Sequence, residues 1–183
     1  RRVPPWGSVG AGTRHTRVGG ARGAVSAVAL EGACRRRRHA AADWREQSKA
    51  GTPIEAGVVN TSSPSGIFGN AGQTNYGAAK AGIAAFTIIC GLELGRYGVC
   101  TNAIAPVART RMTEAVFADR MGAPTAGFDV NAPANISPPV VWLCSAEASG
   151  VHGGVFGGQG GTVSIPGGWG PVARSDTGGH ARA

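Results

Sequence analysis

Two short apolar segments, separated by one long apolar segment, dominate the middle of the chain. Residues 57–61 and 99–105 have the length and composition of buried strands. Residues 75–96 are rich in Ala, Ile and Leu and have the length of a helix, which Gly98 ends. Pro106 ends the second strand. A strand, a helix and a strand in this order predict two parallel strands joined by a crossover helix.

The remaining elements extend the same alternation. Residues 39–49 predict a helix closed by Gly51, residues 113–121 predict short helical pieces, and a further helix starts at Ser137 as its N-cap and runs to residue 148. Residues 153–156 and 162–165 bracket a glycine-rich stretch and predict a third strand. The sequence therefore predicts an α/β fold, a doubly wound parallel sheet.

The positive charge of the chain is confined to its first segment. The formal net charge is +8, and residues 1–38 hold nine Arg against one acid, Glu31, whereas residues 39–183 hold nine basic and nine acidic residues. Residues 1–38 are rich in Arg, Gly and Ala and lack apolar periodicity, which predicts a flexible leader. We therefore expect no nucleic-acid partner for the neutral part, although the run at residues 35–38 keeps that hypothesis open.

The cysteines and histidines form no recognisable site. The four Cys contain no CxxC pair and the four His lie far apart, so we expect neither a metal centre nor a disulfide framework. Free cysteines favour the reducing cytoplasm as the location. The longest uncharged apolar run, residues 81–92, is far shorter than the roughly 20 residues that cross a bilayer, which predicts a buried helix and no membrane partner.

Ser63, Tyr76 and Lys80 form the candidate catalytic group. Tyr76 and Lys80 are four residues apart on the predicted helix and share one face of it. An ammonium group one turn away favours the phenolate form of a tyrosine, which could then exchange a proton with a carbinol or carbonyl oxygen. Ser63 follows a predicted strand, where its hydroxyl could bond the same oxygen. A chance helical Tyr–Lys pair and ordinary loop serines remain the alternative.

The motifs around these residues resemble the active-site block of the short-chain dehydrogenase/reductase superfamily. They are VNTSS at 59–63, NYGAAKAG at 75–82, TNAIAP at 101–106, Trp142–Leu143 and Gly160–Gly161, and together they cover residues 39–170. Residues 104–114 and 137–144 narrow the likeness to the (3R)-hydroxyacyl-CoA dehydrogenase domain of the peroxisomal multifunctional enzyme and its bacterial relatives. The fold that this resemblance implies is a Rossmann-like sheet.

The resemblance implies a role for each matching residue. Tyr76 is expected to be the general acid and base, Lys80 to support it and hold the nicotinamide ribose, and Ser63 to orient the substrate oxygen. Pro106 and Thr110 are expected to flank the nicotinamide carboxamide, and Asn60 to lie near the cofactor, NAD or NADP. For Asn60 and Asn102 a structural tie at the end of a strand is an equally good interpretation.

The sequence departs from the family pattern at its start. The family opens with a strand and a glycine-rich turn that holds the cofactor pyrophosphate. The nearest approach here, residues 7–12, has the wrong spacing and no preceding strand, and no Asn precedes Asn60. We therefore predict a truncated fold without its N-terminal βαβ units. Residues 1–38 are then interpreted as disordered or as out-of-frame translation, 39–170 as the family part and 171–183 as a flexible tail.

Two hypotheses for the function follow from this comparison. The first is an NAD(P)-dependent oxidoreductase that interconverts a secondary alcohol and a ketone, with a 3-hydroxyacyl/3-oxoacyl thioester as substrate. The second is an inactive remnant of such an enzyme. The resemblance also implies that the folded chain forms a homo-oligomer.

Overall fold

The computed structural model describes residues 27–116 and 121–168, which form a sheet with helices packed on it. The strands are β1 (Ala56–Thr61), β2 (Val99–Pro106), β3 (Val155–Gln159) and β4 (Thr162–Ser164), and they lie in the order β1-β2-β3-β4. The first three strands are parallel and β4 is antiparallel to β3. Within the described residues, β1 therefore has a paired neighbour on one edge only.

The helices precede, connect and follow these strands. They are α1 (Gly32–Lys49), which continues a π-helical turn at Ala27–Glu31, α2 (Pro64–Ile67), α3 (Thr74–Leu94), α4 (Arg111–Val116) and α5 (Ser137–Leu143). Single 3-10 turns lie at Gly95–Tyr97, Pro133–Ile136 and Ala146–Ala148.

Helices cover both faces of the sheet. On one face, Cys90 and Leu94 of α3 pack with Val99, and Trp44 of α1 and Val58 of β1 extend this cluster. Gly57, which points to the other face, lies against the end of α5, since a Cβ there would be 3.0 Å from the Cα of Cys144. Every residue of β2 except Pro106 is buried, as expected for a central parallel strand. The doubly wound α/β architecture is confirmed.

Gly98 marks the point at which the crossover helix turns into β2. Its φ of 80° lies in the left-handed region, and a Cβ at this position would be 2.2 Å from the carbonyl oxygen of Ile54. Only glycine fits both the backbone conformation and the space. The predicted end of the helix at Gly98 is confirmed.

The helix predicted to begin at residue 39 begins earlier. Residues 32–38 are helical, so the expectation that this part of the basic leader is disordered is wrong. Arginine is a good helix former, and the Glu31 carboxylate accepts hydrogen bonds from Arg35 one turn later. Arg37 in this part of the helix is buried and donates a hydrogen bond to Asn60 of β1, which anchors α1 to the sheet.

Two further predictions are corrected by the structure. Ser137 is the first residue of α5 and not its N-cap, because the helix continues directly from the 3-10 turn before it. The single third strand predicted near the end is a hairpin, because Gly160 adopts a φ of 57° and reverses the chain between β3 and β4. Residues 1–26 and 171–183 lie outside the described residues.

Helix α3 and the turn after it form a longer apolar stretch than the uncharged run at residues 81–92. The stretch Thr74–Tyr97 has a mean hydropathy of 1.5 in its most apolar part, which is long and apolar enough to cross a membrane by length and composition alone. Ala79, Ile83, Thr87 and Leu94 on this helix are buried in the protein. Its packing on β1 and β2 is that of a core helix.

Candidate active site

The carboxyl ends of β1 and β2 meet at one edge of the sheet, where the candidate residues gather. Thr61 is in register with Ile104, and the next amide, that of Ser62, donates to the Ile104 carbonyl at 2.7 Å. Pro106 is in register with Gly158 of β3 at the same edge. Ligand sites of open α/β sheets lie at this edge, where parallel strands end and loops begin.

Lys80 reaches from α3 to the end of β1. Its Nζ donates to the Thr61 carbonyl oxygen at 2.8 Å and lies 5.6 Å from the centre of the Tyr76 ring. Burial lowers the pKa of Lys80 because the charged form loses part of its hydration. The predicted neighbourhood of Tyr76 and Lys80 is thus present, with the ammonium group held by a backbone oxygen.

Ser62 and Gly66 hold α3 close to the strand end. The Ser62 hydroxyl donates to the Lys80 carbonyl oxygen at 2.8 Å, and Ser62 is 1% exposed. A Cβ on Gly66 would lie 2.5 Å from the amide nitrogen of Ala81 and 2.6 Å from the carbonyl carbon of Lys80. The absence of a side chain at Gly66 therefore allows α2 to touch the backbone of α3 beside Lys80.

Ser63 is the N-cap of α2. Its Oγ accepts a hydrogen bond from the Ser65 amide at 3.2 Å, and the residue is 7% exposed. An oxygen that accepts from this amide keeps its own proton for a second partner. The hydroxyl can therefore donate to an oxygen atom placed beside the strand end.

A cavity of about 840 Å³ lies between α1, β1 and α3. Asn60, Thr61, Tyr76 and Lys80 line it. Ser63, Pro106 and Thr110 do not. The flanking residues of Pro106 border a separate groove of about 390 Å³, and Thr110 is exposed and bonded to Thr113.

Asn60, next to the end of β1, and Asn102, in the middle of β2, are both bound inside the protein. Asn60 Oδ1 accepts from Arg37 Nη2 at 2.8 Å, and its Nδ2 donates to Thr87 Oγ1 at 2.7 Å. The amide of Asn102, which is 0% exposed, bonds two backbone groups of the loop before β3. These bonds favour the structural interpretation of both residues, and the cofactor contact of Asn60 stays a prediction.

Sequence reasoning missed four residues that build this site. Arg37 and Thr87 fix Asn60, Ser62 fixes the backbone at Lys80, and the carbonyl of Thr61 holds the lysine side chain. Every residue has a backbone carbonyl, so the residue type at position 61 does not show that its carbonyl accepts a hydrogen bond from Lys80. Only Thr87 could have been found from the sequence, because it lies seven residues, or about two turns, after Lys80 and so on the same face of the predicted helix.

The residues at the strand end fit the ribose end of a nicotinamide cofactor. One of the three N–H donors of Lys80 is used by Thr61, which leaves two for ribose hydroxyl groups at the cavity wall. Within the described residues, no glycine-rich turn joins a strand to a helix in the pattern that binds pyrophosphate. In the same part of the chain, no group of three or more His, Cys, Asp or Glu is arranged to hold a metal ion.

Comparison with known proteins identifies the same block of sequence. Residues 25–121 match the short chain dehydrogenase family, and this match begins inside the basic segment. A hydroxyacyl-CoA dehydrogenase of Mycobacterium tuberculosis is 44% identical over 135 residues, which are 73% of this chain and 43% of that protein. The mouse (Mus musculus) peroxisomal multifunctional enzyme type 2 is 38% identical over 99 residues, 54% of this chain and 12% of that enzyme.

The fold has a close counterpart among solved structures. A short chain dehydrogenase from Mycobacterium avium superposes with a TM-score of 0.75 and 48% sequence identity, over 87% of this chain and 52% of that one. The chain thus spans about half the length of these two mycobacterial proteins. Family match, fold and strand-end arrangement agree, and the chain belongs to the short chain dehydrogenase family.

Proposed function

We propose that the chain carries the catalytic residues of an NAD(P)-dependent oxidoreductase that interconverts a secondary alcohol and a ketone. The observation that supports it best is the position of Lys80, whose ammonium group is bonded to the Thr61 carbonyl and faces the Tyr76 ring at the wall of the large cavity. The cofactor, when bound, supplies the hydride acceptor or donor.

Tyr76 acts as the general acid and base in this proposal. In the oxidation direction its phenolate takes the proton of the substrate hydroxyl, and in the reduction direction its hydroxyl returns a proton to the developing alkoxide. Lys80 places its positive charge beside the Tyr76 ring. Because the Thr61 carbonyl oxygen fixes Nζ, the charge stays beside the ring without reorganisation during proton transfer.

Ser63 orients the substrate oxygen. The Ser65 amide occupies one acceptor site of the Ser63 hydroxyl, which directs the hydroxyl proton away from α2. Such a donor stabilises the oxygen as negative charge develops on it. Pro106 and Thr110 border the cofactor by the family resemblance, and Asn60 supports the end of β1 from within.

The substrate class is proposed from the named relatives. Hydroxyacyl-CoA dehydrogenase and peroxisomal multifunctional enzyme are the names of proteins to which this chain is 44% and 38% identical. A 3-hydroxyacyl or 3-oxoacyl thioester is accordingly the proposed substrate, with either NAD or NADP as cofactor. The competing proposal is a chain that keeps the fold without binding cofactor, because no glycine-rich turn joins a strand to a helix in the pattern that binds pyrophosphate within the described residues.

Cofactor binding and turnover distinguish these proposals. The full chain is titrated with NADH and NADPH by calorimetry and then assayed with acetoacetyl-CoA as the 3-oxoacyl thioester. Active chain is expected to lose about 10²- to 10⁴-fold in turnover when Tyr76→Phe removes the phenolic group. Tyr97→Phe is the matched control, because Tyr97 lies in the 3-10 turn at the other end of α3. Folded chain that binds neither nucleotide supports the inactive alternative.

We also propose that the folded chain forms a homo-oligomer and acts in the cytoplasm. Its partner in this proposal is a small molecule, and neither nucleic acid nor a membrane. The helix α3 exposes Ile88, Ile89 and Leu92, the last at 80%, which is a surface that a second protein chain can cover. Light scattering on the purified chain tests this proposal. A monodisperse monomer at micromolar concentration would contradict the oligomer.

A further inference from the structure

A second cavity, of about 370 Å³, lies at the amino ends of β1 and β2, at the opposite end of the sheet from the candidate catalytic residues. Cys100 of β2 and His152 of the loop before β3 both line it. The Cys100 Sγ lies 4.0 Å from the His152 Nε2, and the thiol donates to the Ser149 carbonyl oxygen at 3.1 Å. A thiol and an imidazole therefore face each other in one cavity.

The loop that carries His152 is bonded to β2 on both sides of this residue. The Gly153 amide donates to the Thr101 carbonyl oxygen at 2.8 Å, and the buried side-chain amide of Asn102 donates to the Val151 carbonyl oxygen at 2.7 Å. Strand β2 lies between β1 and β3. The position of the thiol and the imidazole is therefore set by described chain on both sides of β2, and not by whatever lies beyond β1.

The surroundings of this pair favour a positive ion. Among the described residues that line the cavity, Glu55 is the one carboxylate, Cys144 adds a second thiol, and there is no Lys or Arg. Gly95, the C-cap of the 21-residue helix α3, also lines the cavity. Since the carbonyl end of a helix carries a partial negative charge, a carboxylate and a helix end both attract a cation to this place.

The distance between the two side chains fits one metal ion placed between them. Zinc bonds to cysteine sulfur and histidine nitrogen are about 2.3 Å and 2.0 Å long, so two such bonds span up to about 4.3 Å. At the tetrahedral angle of four-coordinate zinc the same bonds would bring Sγ and Nε2 to about 3.5 Å from each other. The separation of 4.0 Å is wider and favours an ion that takes two ligands at a wide angle. In the described part of the chain, no group of three or more His, Cys, Asp or Glu forms a larger ligand set.

We propose that Cys100 and His152 bind a cuprous ion, Cu⁺, through Sγ and Nε2. Thiolate sulfur and imidazole nitrogen suit this soft ion, whereas magnesium and calcium prefer oxygen ligands. On binding, a sulfur–copper bond replaces the S–H bond of Cys100, and the released proton passes to water. Burial raises the pKa of the Cys100 thiol, so the thiol keeps its proton when no metal is bound. This site goes beyond the proposed function, since it needs neither the nicotinamide cofactor nor turnover.

Competition with bicinchoninate for Cu⁺, measured on the full-length chain without oxygen and with ascorbate, tests this proposal. Loss of a group that only supports a metal ligand weakens binding by about tenfold or more, and loss of a ligand is expected to cost at least as much. His152→Ala and Cys100→Ser are therefore each expected to weaken Cu⁺ binding by about tenfold or more. His39→Ala is the matched control and is expected to bind like wild type, because His39 is exposed and does not line the cavity.

Two results would overturn the proposal. The first is equal Cu⁺ affinity of the His152→Ala and His39→Ala variants. Because His152 is exposed, this comparison carries the test even if Cys100→Ser fails to fold. The second comes from X-ray absorption of the one-to-one copper complex, which is expected to show one sulfur and one nitrogen ligand. A copper ion bound by sulfur alone would place it at other cysteines, whatever the outcome for cofactor binding or turnover.

Discussion

Replacing Gly66 with alanine tests whether close contact between α2 and α3 holds the candidate site together. The added Cβ would lie 2.5 Å from the Ala81 amide nitrogen, 2.6 Å from the Lys80 carbonyl carbon and 2.8 Å from the Lys80 Cβ. Two of these atoms belong to the backbone of a 21-residue helix and cannot rotate away. The short helix α2 must therefore move outward by several tenths of an ångström.

The magnitude follows from two opposing terms. Overpacking against a fixed neighbour costs about 3 kcal/mol at the upper end of its usual range. Alanine in place of glycine in a helix gains about 1 kcal/mol. The free energy of unfolding is therefore expected to fall by about 2 kcal/mol in Gly66→Ala, measured by urea denaturation followed by circular dichroism.

Gly150→Ala is the control for the same chemical change. A Cβ at Gly150 meets no atom within 4 Å, and its φ is not in the left-handed region. Its free energy of unfolding is expected to change by no more than about 0.5 kcal/mol. Equal urea midpoints for the two variants would refute the reasoning, because the contact at Lys80 would then carry no strain.

Three further measurements test other contacts. Asn102→Ala removes the side-chain partner of two partly buried backbone groups and is expected to lower the free energy of unfolding by about 2 kcal/mol in urea, with an unchanged midpoint as the contrary result. The hydrogen bond from Arg109 lowers the pKa of Asp129. This pair therefore stabilises the fold fully at pH values above the ordinary aspartate pKa of about 4, and the stabilisation is lost as the pH falls through the lowered pKa. Thermal melts of wild type and Asp129→Asn should therefore differ at neutral pH and converge in acid, and a constant difference would contradict the pair. Iodoacetamide followed by mass spectrometry is expected to label the exposed Cys144 before the buried Cys100, whose pKa burial raises, and the opposite order would contradict the packing.

The crossover from β1 to β2 was predictable because each of its boundaries has a local cause. The apolar runs specify buried parallel strands. Glycine is the one residue type that fits at position 98, in the turn against Ile54. The i,i+4 spacing of Tyr76 and Lys80 placed both on one helix face, where the structure has them. Local periodicity and turn chemistry are sufficient for these features.

Three features of the structure were not predicted, each for a different physical reason. Arg37 is buried by residues that follow it by 23 and 64 positions, so composition alone assigned its segment to a disordered leader. The Thr61 carbonyl that holds Lys80 is a backbone group, which residue identity does not reveal. The hairpin of β3 and β4 depends on the pairing partner across Gly160, and short glycine-containing strands carry too weak a pattern to show it.

The bond between Lys80 and Thr61 has a consequence for the order of folding. It joins the end of β1 to α3, 19 residues further along the chain, and the Ser62 bond to the Lys80 carbonyl spans 18 residues. Contacts with short loops close fast, since little chain entropy is lost in bringing their ends together. Ser63, Tyr76 and Lys80 all lie within this one connection. We therefore expect their arrangement to form before β3 pairs with β2, because the paired residues Ala103 and Val155 lie far apart in the chain. Phi-value measurements at Ser62 and Phe156 would reveal this order.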